Sequence, residues 1–185
     1  MEARVGRTLE DAELGAADVA LVLAAHRLAM GLRIERLGDS HHPDFLHPGR
    51  TVLILSLDSG FRDPDGLAAA ALVESERMDL RVDPRRVRDL LGERVADWLA
   101  AVPVEEDGLV EALVVAPEAV RRVALAERLD HCRHAKFWTD RAAQVRIQEQ
   151  AETIFGPVAE RTDPALARRF VHWSGAFART LGRKG

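Results

Sequence analysis

A chain of 185 residues can bury one proper core, and its 47% apolar and 30% charged residues exclude a disordered segment. A net charge of -4 excludes a general attraction to nucleic acid, and the single cysteine, Cys132, excludes an intrachain disulfide and a cysteine-rich zinc site. The charged N-terminal stretch MEARVGRTLEDAELG lacks a signal-like apolar core, and the longest apolar run, Val19 to Ala25, is far too short to span a bilayer, so the expectation is a cytoplasmic protein with no membrane partner.

Ala16 to Leu37 predicts a long helix, with Leu21, Ala24, Ala25, Leu28 and Leu32 on one stripe and Gly38 just past its end. A polar loop, Asp39 to Pro48, carries His41, His42 and His47. Arg50 to Leu57 has the β-branched content of a strand. A lone strand would have no partner, so helix is predicted there. Asp63-Pro64 opens a small-residue helix from Leu67 to about Glu76, an N-cap followed by a proline whose missing N–H costs nothing. Its Ala68 to Ala71 run allows close backbone approach and places it mid-bundle.

Asp83-Pro84 starts a short helix ending at Gly92. Glu93 to Ala101 makes another, with Val95, Trp98, Leu99 and Val102 on its apolar side. Val104 to Ala116 is acidic, contains a glycine and reads as a mobile loop. A helix follows from Pro117, and the next is capped by Thr139 or Asp140 and runs to Phe155. Gly156-Pro157 is expected to break it. Asp163-Pro164 opens the last helix, which carries Phe170, Trp173 and Phe177 and ends near Gly182. The expected fold class is all-α, a single domain over residues 1–185 built as a bundle of about seven to nine helices.

Glu127 and His131 lie four apart on the face formed by Val120, Val123 and Ala124, a spacing at which both side chains reach one ion. The alternative is a solvated Glu–His pair. His47 sits at a loop-to-helix boundary, as a helix cap or as a metal ligand. Glu74 follows Leu67, Ala70 and Ala71 on an apolar face, either at its solvated end or inside a cleft. By ligand type His47, Glu74 and Glu127 suit one divalent first-row metal, manganese or similar. Cys132 and His26 read as packing residues, with His26 a satisfied core or boundary histidine.

The order of segments HPGRTVLIL…DPDGLAAAALVESE…VDPRRVRDLLGERVADWLAAV…VALAERLDHCR…RIQEQAETIFGPVAER resembles the HD-domain phosphohydrolases, most nearly the hydrolase domain of the RelA/SpoT family. That domain has a His-Pro opening a helix, an AALLHD segment, a Glu-Asp pair, an FG-x-x-VA segment and LADRLHN-x-R. The resemblance covers about Asp18 to Arg161. It implies an HD-like helical bundle with a metal held by four side chains. His47 matches the first metal-binding histidine, the His-Asp dyad falls on Glu74-Ser75, and the last aspartate falls on Glu127. The catalytic Glu-Asp pair falls on Met78-Asp79, which leaves Asp79 alone, and the family asparagine becomes His131. Arg128 and Arg133 match family arginines, and Arg33 or Arg36 stands in for the guanine-side arginine of the first loop.

These departures fall on the chemistry while the helix-packing residues match. The expectation is therefore a degenerate HD-fold protein related to (p)ppGpp pyrophosphohydrolases, catalytically silent, that binds a nucleotide or a protein partner, with a homodimer as one form. The alternative is a metal-dependent phosphohydrolase acting on a nucleotide diphosphate or (p)ppGpp-like substrate through a His/Glu/Glu site.

Overall fold

The computed structural model describes residues 1–183. Among them there is no strand. The helices are α1 (Glu2–Asp11), α2 (Ala16–Leu37), α3 (His47–Leu53), α4 (Pro64–Leu72), α5 (Pro84–Leu91), α6 (Glu93–Ala101), α7 (Leu109–Val115), α8 (Glu118–His134), α9 (Arg141–Gln150), α10 (Gly156–Glu160) and α11 (Pro164–Arg183). A π turn, Ile54–Asp58, extends α3, and another, Ala151–Phe155, joins α9 to α10 without a break. The described residues thus form ten continuous helices, slightly more than expected. The excess comes from two places. The N-terminal stretch coils into α1 because Val5 and Leu9, one turn apart, are fully buried. The acidic segment expected to be a loop folds in its second half as α7, anchored by buried Leu109 and Leu113.

Helix α4 is the centre of the packing. Every residue from Leu67 to Leu72 is buried, and α4 packs against α2, α3, α6 and α8. Small side chains allow this, because each alanine lets a neighbouring backbone approach where a leucine would hold it off. Gly66 shows how tight the approach is: a Cβ there would meet Phe61 at 2.7 Å and Trp98 at 3.3 Å. Phe61 and Trp98 pack edge to face, so neither ring can retreat freely. Gly66→Ala is therefore expected to destabilise the protein by about 1–3 kcal/mol in urea unfolding. An unchanged midpoint would show that the Phe61 ring moves aside at no cost.

Helix entry is set by side chains. Asp63, Asp83 and Asp163 each precede a proline, and each accepts from a backbone N–H in the first turn, Gly66, Arg85 and Ala165 respectively. Asp140 caps α9 through Ala142 and Ala143. Each cap stabilises by about 1 kcal/mol. Gly38, at φ 62°, closes α2 in the left-handed region that side chains disfavour.

Two boundaries differ from the sequence reading. Helix α4 stops at Leu72, not near Glu76, because Val73 turns to extended backbone (φ -62°, ψ 135°). Gly156-Pro157 does not end its helix. The π turn widens the coil there, the Gly156 N–H bonds to the Ala151 carbonyl, and this relieves the ring clash a proline imposes on a regular helix. A Cβ at position 156 would lie 3.0 Å from that same carbonyl, which accounts for the glycine. His26 is buried as expected, but neither ring nitrogen has a partner, so it is not a satisfied histidine. Phe170 and Phe177 of α11 are core residues.

Candidate functional site

Beneath α4 four polar side chains from three segments meet. His47 enters from the first turn of α3, Glu74 from the extended turn after α4, and Glu127 and His131 from α8. Each is at most 1% exposed. The Glu127–His131 pair predicted from its spacing is thus inside the protein, not on a solvated edge. The early end of α4 produces the convergence. Had the helix run on to Glu76, Glu74 would have stayed on the α4 face; the extended Val73 instead carries it round to α8.

His131 Nε2 lies 3.0 Å from Glu127 Oε1 and 3.2 Å from Glu74 Oε1. The His47 ring stacks on the His131 ring at 4.3 Å between centroids, and its Nε2 is 3.9 Å from Glu127 Oε1. Donor atoms of His47, Glu74 and His131 all lie within 4.8 Å of one another, so this group could hold a metal ion. Of the predicted set, His47 and Glu74 belong to this group, with His131 in the place expected of Glu127; Glu127 instead lies against His131 at 3.0 Å, outside the group.

The carboxylates are also heavily engaged by the protein itself. Glu127 Oε1 accepts from the Ser75 backbone N–H at 2.8 Å and from the Ser75 hydroxyl at 2.7 Å, in addition to His131. Glu74 Oε1 accepts from the N–H groups of Glu76 and Arg77, each at 3.1 Å, and Oε2 accepts from Arg33 at 2.7 Å. Ser75 thus donates twice to the Glu127 carboxylate.

Sequence reasoning missed Asp130. Its Oδ2 accepts from His47 Nδ1 at 2.8 Å, and Arg50 grips the same carboxylate through Nε at 2.8 Å and Nη2 at 2.9 Å. A carboxylate on Nδ1 fixes the ring, and Nε2 on its other side lies 3.3 Å from the Val73 carbonyl and 3.9 Å from Glu127 Oε1. The one available signal was Asp130 lying next to His131 on a helix that already carried Glu127; it pointed to no partner because His47 is 83 residues away.

Charge and burial set the proton affinities. Burial by itself would raise the Glu74 carboxyl, but the adjacent His131 charge and hydrogen bond, with His47, outweigh it and hold the group at about 2. Glu127 is held well below the usual carboxylate range, since His131 and Arg128 outweigh its burial. For His131, burial opposes the proton, and Glu127 and Glu74 overcome that and raise it well above its ordinary value. The Glu74 contribution to stability is in place above pH 4.5 and is lost as the pH falls towards 2. The His131 contribution runs the other way: present below pH 6.5, it fades as the pH rises through the elevated value. Urea midpoints are expected to fall below pH 4.5, with Glu74→Gln flattening that acid limb; an equally steep limb in the variant would assign it to other groups.

The remaining predicted site residues divide. Arg33, 1% exposed, braces the cluster through Glu74 and the Asp44 carbonyl, and its Nη1 has no partner. Arg128 is buried, bonded to Glu76 and to the Val104 carbonyl, with its guanidinium over the Phe155 ring, so it holds the fold and faces no open site. Arg36 is exposed and, among the described residues, pairs only with neighbouring Glu35 at 3.7 Å. Asp79 is exposed and tied to Arg77 at 2.7 Å, and Met78 is 74% exposed. Arg133 bonds Asp58 on the far side of Asp130. Arg36, Asp79 and Arg133 are thus not brought to the cluster. Cys132 is fully buried and its thiol is pushed up by burial, as expected of a packing residue.

No protein-family model matches this chain, and no curated protein matches it in sequence. The likeness to the HD-domain phosphohydrolases therefore rests on the motifs themselves. Among the described residues no helix is long and apolar enough to cross a membrane.

Proposed function

We propose that the chain is a catalytically silent relative of the HD-domain phosphohydrolases, a helical domain that binds a nucleotide or a protein partner. One observation carries the reading: the polar ring closes on itself. Glu127 Oε1 already accepts three hydrogen bonds, and the two carboxylates share His131 between them. An acid that would position an attacking water is also missing, with Met78 and Asp79 both turned to solvent. Beside the cluster lies a cleft of 460 Å³ lined by Phe137, Trp138, Arg77, Asp44, Glu76 and Asp140 among others. Its two aromatic rings and its acidic rim suit a planar base better than a bare phosphate.

The alternative, a metal-dependent phosphohydrolase, is favoured by the mutual 4.8 Å spacing of His47, Glu74 and His131. These residues fit a divalent ion by type, provided that His131 gives up the proton it shares with Glu127 and Glu74. A bound ion would supply Lewis-acid polarisation of a phosphate. Binding would then tighten as the pH rises, because the ion competes with that proton.

Elemental analysis after incubation with Mn²⁺ at pH 6 and pH 8.5, with phosphate release from a nucleotide panel, separates the two. The silent reading expects substoichiometric metal at pH 6 and no release at either pH. It also expects a guanine nucleotide to raise the melting temperature, by about 2.7 kcal/mol of added stability at a hundredfold excess over Kd. Metal-dependent release that disappears in Glu127→Gln would overturn it in favour of the enzyme.

A further inference from the structure

On the opposite side of Asp130 from the buried cluster is a second cleft, of 360 Å³. Four arginines from four helices line it: Arg4 of α1, Arg50 of α3, Arg133 of α8 and Arg169 of α11. Two carboxylates, Asp58 and Asp130, lie among them, leaving two positive charges in excess on a protein whose net charge is -4. Leu53, Ile54 and Leu57 add an apolar part to the lining.

The arrangement of the guanidiniums matters more than their number. Asp58, at the end of the π turn, takes Arg169 at 2.7 Å on Oδ1 and Arg133 at 3.2 Å on Oδ2. Its side chain is 13% exposed, while those of Arg133 and Arg169 are 32% and 54% exposed. One half-buried carboxylate thus holds two forks at the cleft wall. A guanidinium carries five N–H donors, and each of these two spends one on Asp58. Neither makes another hydrogen bond among the described residues, and both line the cleft. Arg4 is exposed and pairs with no carboxylate among the described residues. Arg50 is itself fixed by Asp130 and the Pro43 carbonyl. Side chains held in place lose little entropy on binding, and planar forks match the oxygens of a phosphoryl group.

We propose that the cleft between α1, α3, α8 and α11 is a binding site for a phosphate-bearing small molecule, gripped by Arg4, Arg133 and Arg169. The volume is at the small end for ligand sites, which favours a phosphate or diphosphate group over a macromolecule. A neighbouring cleft of 390 Å³, lined by Arg168 and His172 and sharing Leu57, Asp58 and Arg169, leaves room for the rest of the molecule. The site does not depend on the reading of the buried cluster, and the outcome of the metal experiment has no bearing on it.

The test is titration calorimetry of the full chain with inorganic pyrophosphate at low ionic strength. Saturable binding is expected, weakening as salt is raised. Arg4→Gln and Arg169→Gln are each expected to weaken it about tenfold, and Arg169→Lys less, because it keeps the charge and loses the fork. Both positions are exposed, so without pyrophosphate the variants should melt within about 2 °C of the wild type, which separates lost binding from lost folding. Amide shifts on titration should appear in Ile54, Leu57, Arg133 and Arg169. No saturable heat at millimolar pyrophosphate, or an affinity unchanged in both glutamine variants, would overturn the proposal. A short single-stranded RNA that bound more tightly than pyrophosphate through the same arginines would overturn the small-molecule class.

Discussion

Arg33→Met is expected to destabilise the protein by about 3 kcal/mol or more, the largest effect of any single change outside the apolar core. Arg33 and Glu74 are 1% and 0% exposed and meet at 2.7 Å. Methionine fills the space of the arginine stem but leaves the buried Glu74 with one cationic neighbour fewer. The cost is that of a carboxylate losing its partner, which exceeds the net worth of the pair. Glu74→Gln keeps an oxygen for the N–H groups of Glu76 and Arg77 while removing the charge. In the double variant Arg33→Met/Glu74→Gln the unpaired charge is gone, so the two losses should not add, with a coupling of about 2 kcal/mol. Denaturant unfolding of the four proteins measures this. A coupling below about 0.5 kcal/mol would mean that Glu74 draws its stabilisation from His131 and the Glu76 and Arg77 N–H groups without Arg33.

Asp130→Asn should follow closely, at about 3 kcal/mol, and it should do something Arg33→Met does not. The Asp130 carboxylate is shared by His47 Nδ1 and Arg50, and its affinity for a proton is held well below the usual range because those partners outweigh its burial. Asparagine preserves the shape and loses the charge. His47 is then free to change tautomer, which ¹⁵N chemical shifts of the imidazole would report. Any affinity of the His47, Glu74 and His131 group for Mn²⁺ should fall by about 10–100-fold, the usual effect of losing an orienting carboxylate behind a ligating histidine. A variant with full stability and an unmoved His47 spectrum would show that Asp130 merely occupies the site.

Local features carried the reading of the fold a long way. Three Asp-Pro pairs, the alanine run of α4 and the glycine after α2 were read directly as helix starts, a central helix and a helix stop, because caps and close approaches depend on residues within one turn. Two misread points, the early end of α4 and the continuous helix through Gly156-Pro157, depend on what packs around them. Nothing local marks Val73 as extended, and a proline is tolerated in a helix only where the backbone has already widened. Helix α1 escapes notice because its buried residues, Val5 and Leu9, are too few to stand out from polar flanks, and α7 because the acidic run and Gly108 just ahead of it read as loop.

The candidate site divides along the same line. Ligand chemistry was legible in His47, Glu74, Glu127 and His131 because residue type and the four-residue spacing on α8 are properties of the chain alone. Their convergence was not, nor were the brace from Arg33 across 41 residues and the anchor from Asp130 across 83. The amino-acid sequence by itself determined an all-helical architecture, with its caps, its small-residue centre and an inventory of polar groups. Only the tertiary structure decided that these groups face one another in a buried cluster, that Asp79 and Arg36 are exposed, and that four arginines meet at a second cleft. The reason is that helix formation is governed by neighbours one turn apart, whereas a charge becomes stabilising or costly according to what the distant chain places beside it and how much water it excludes.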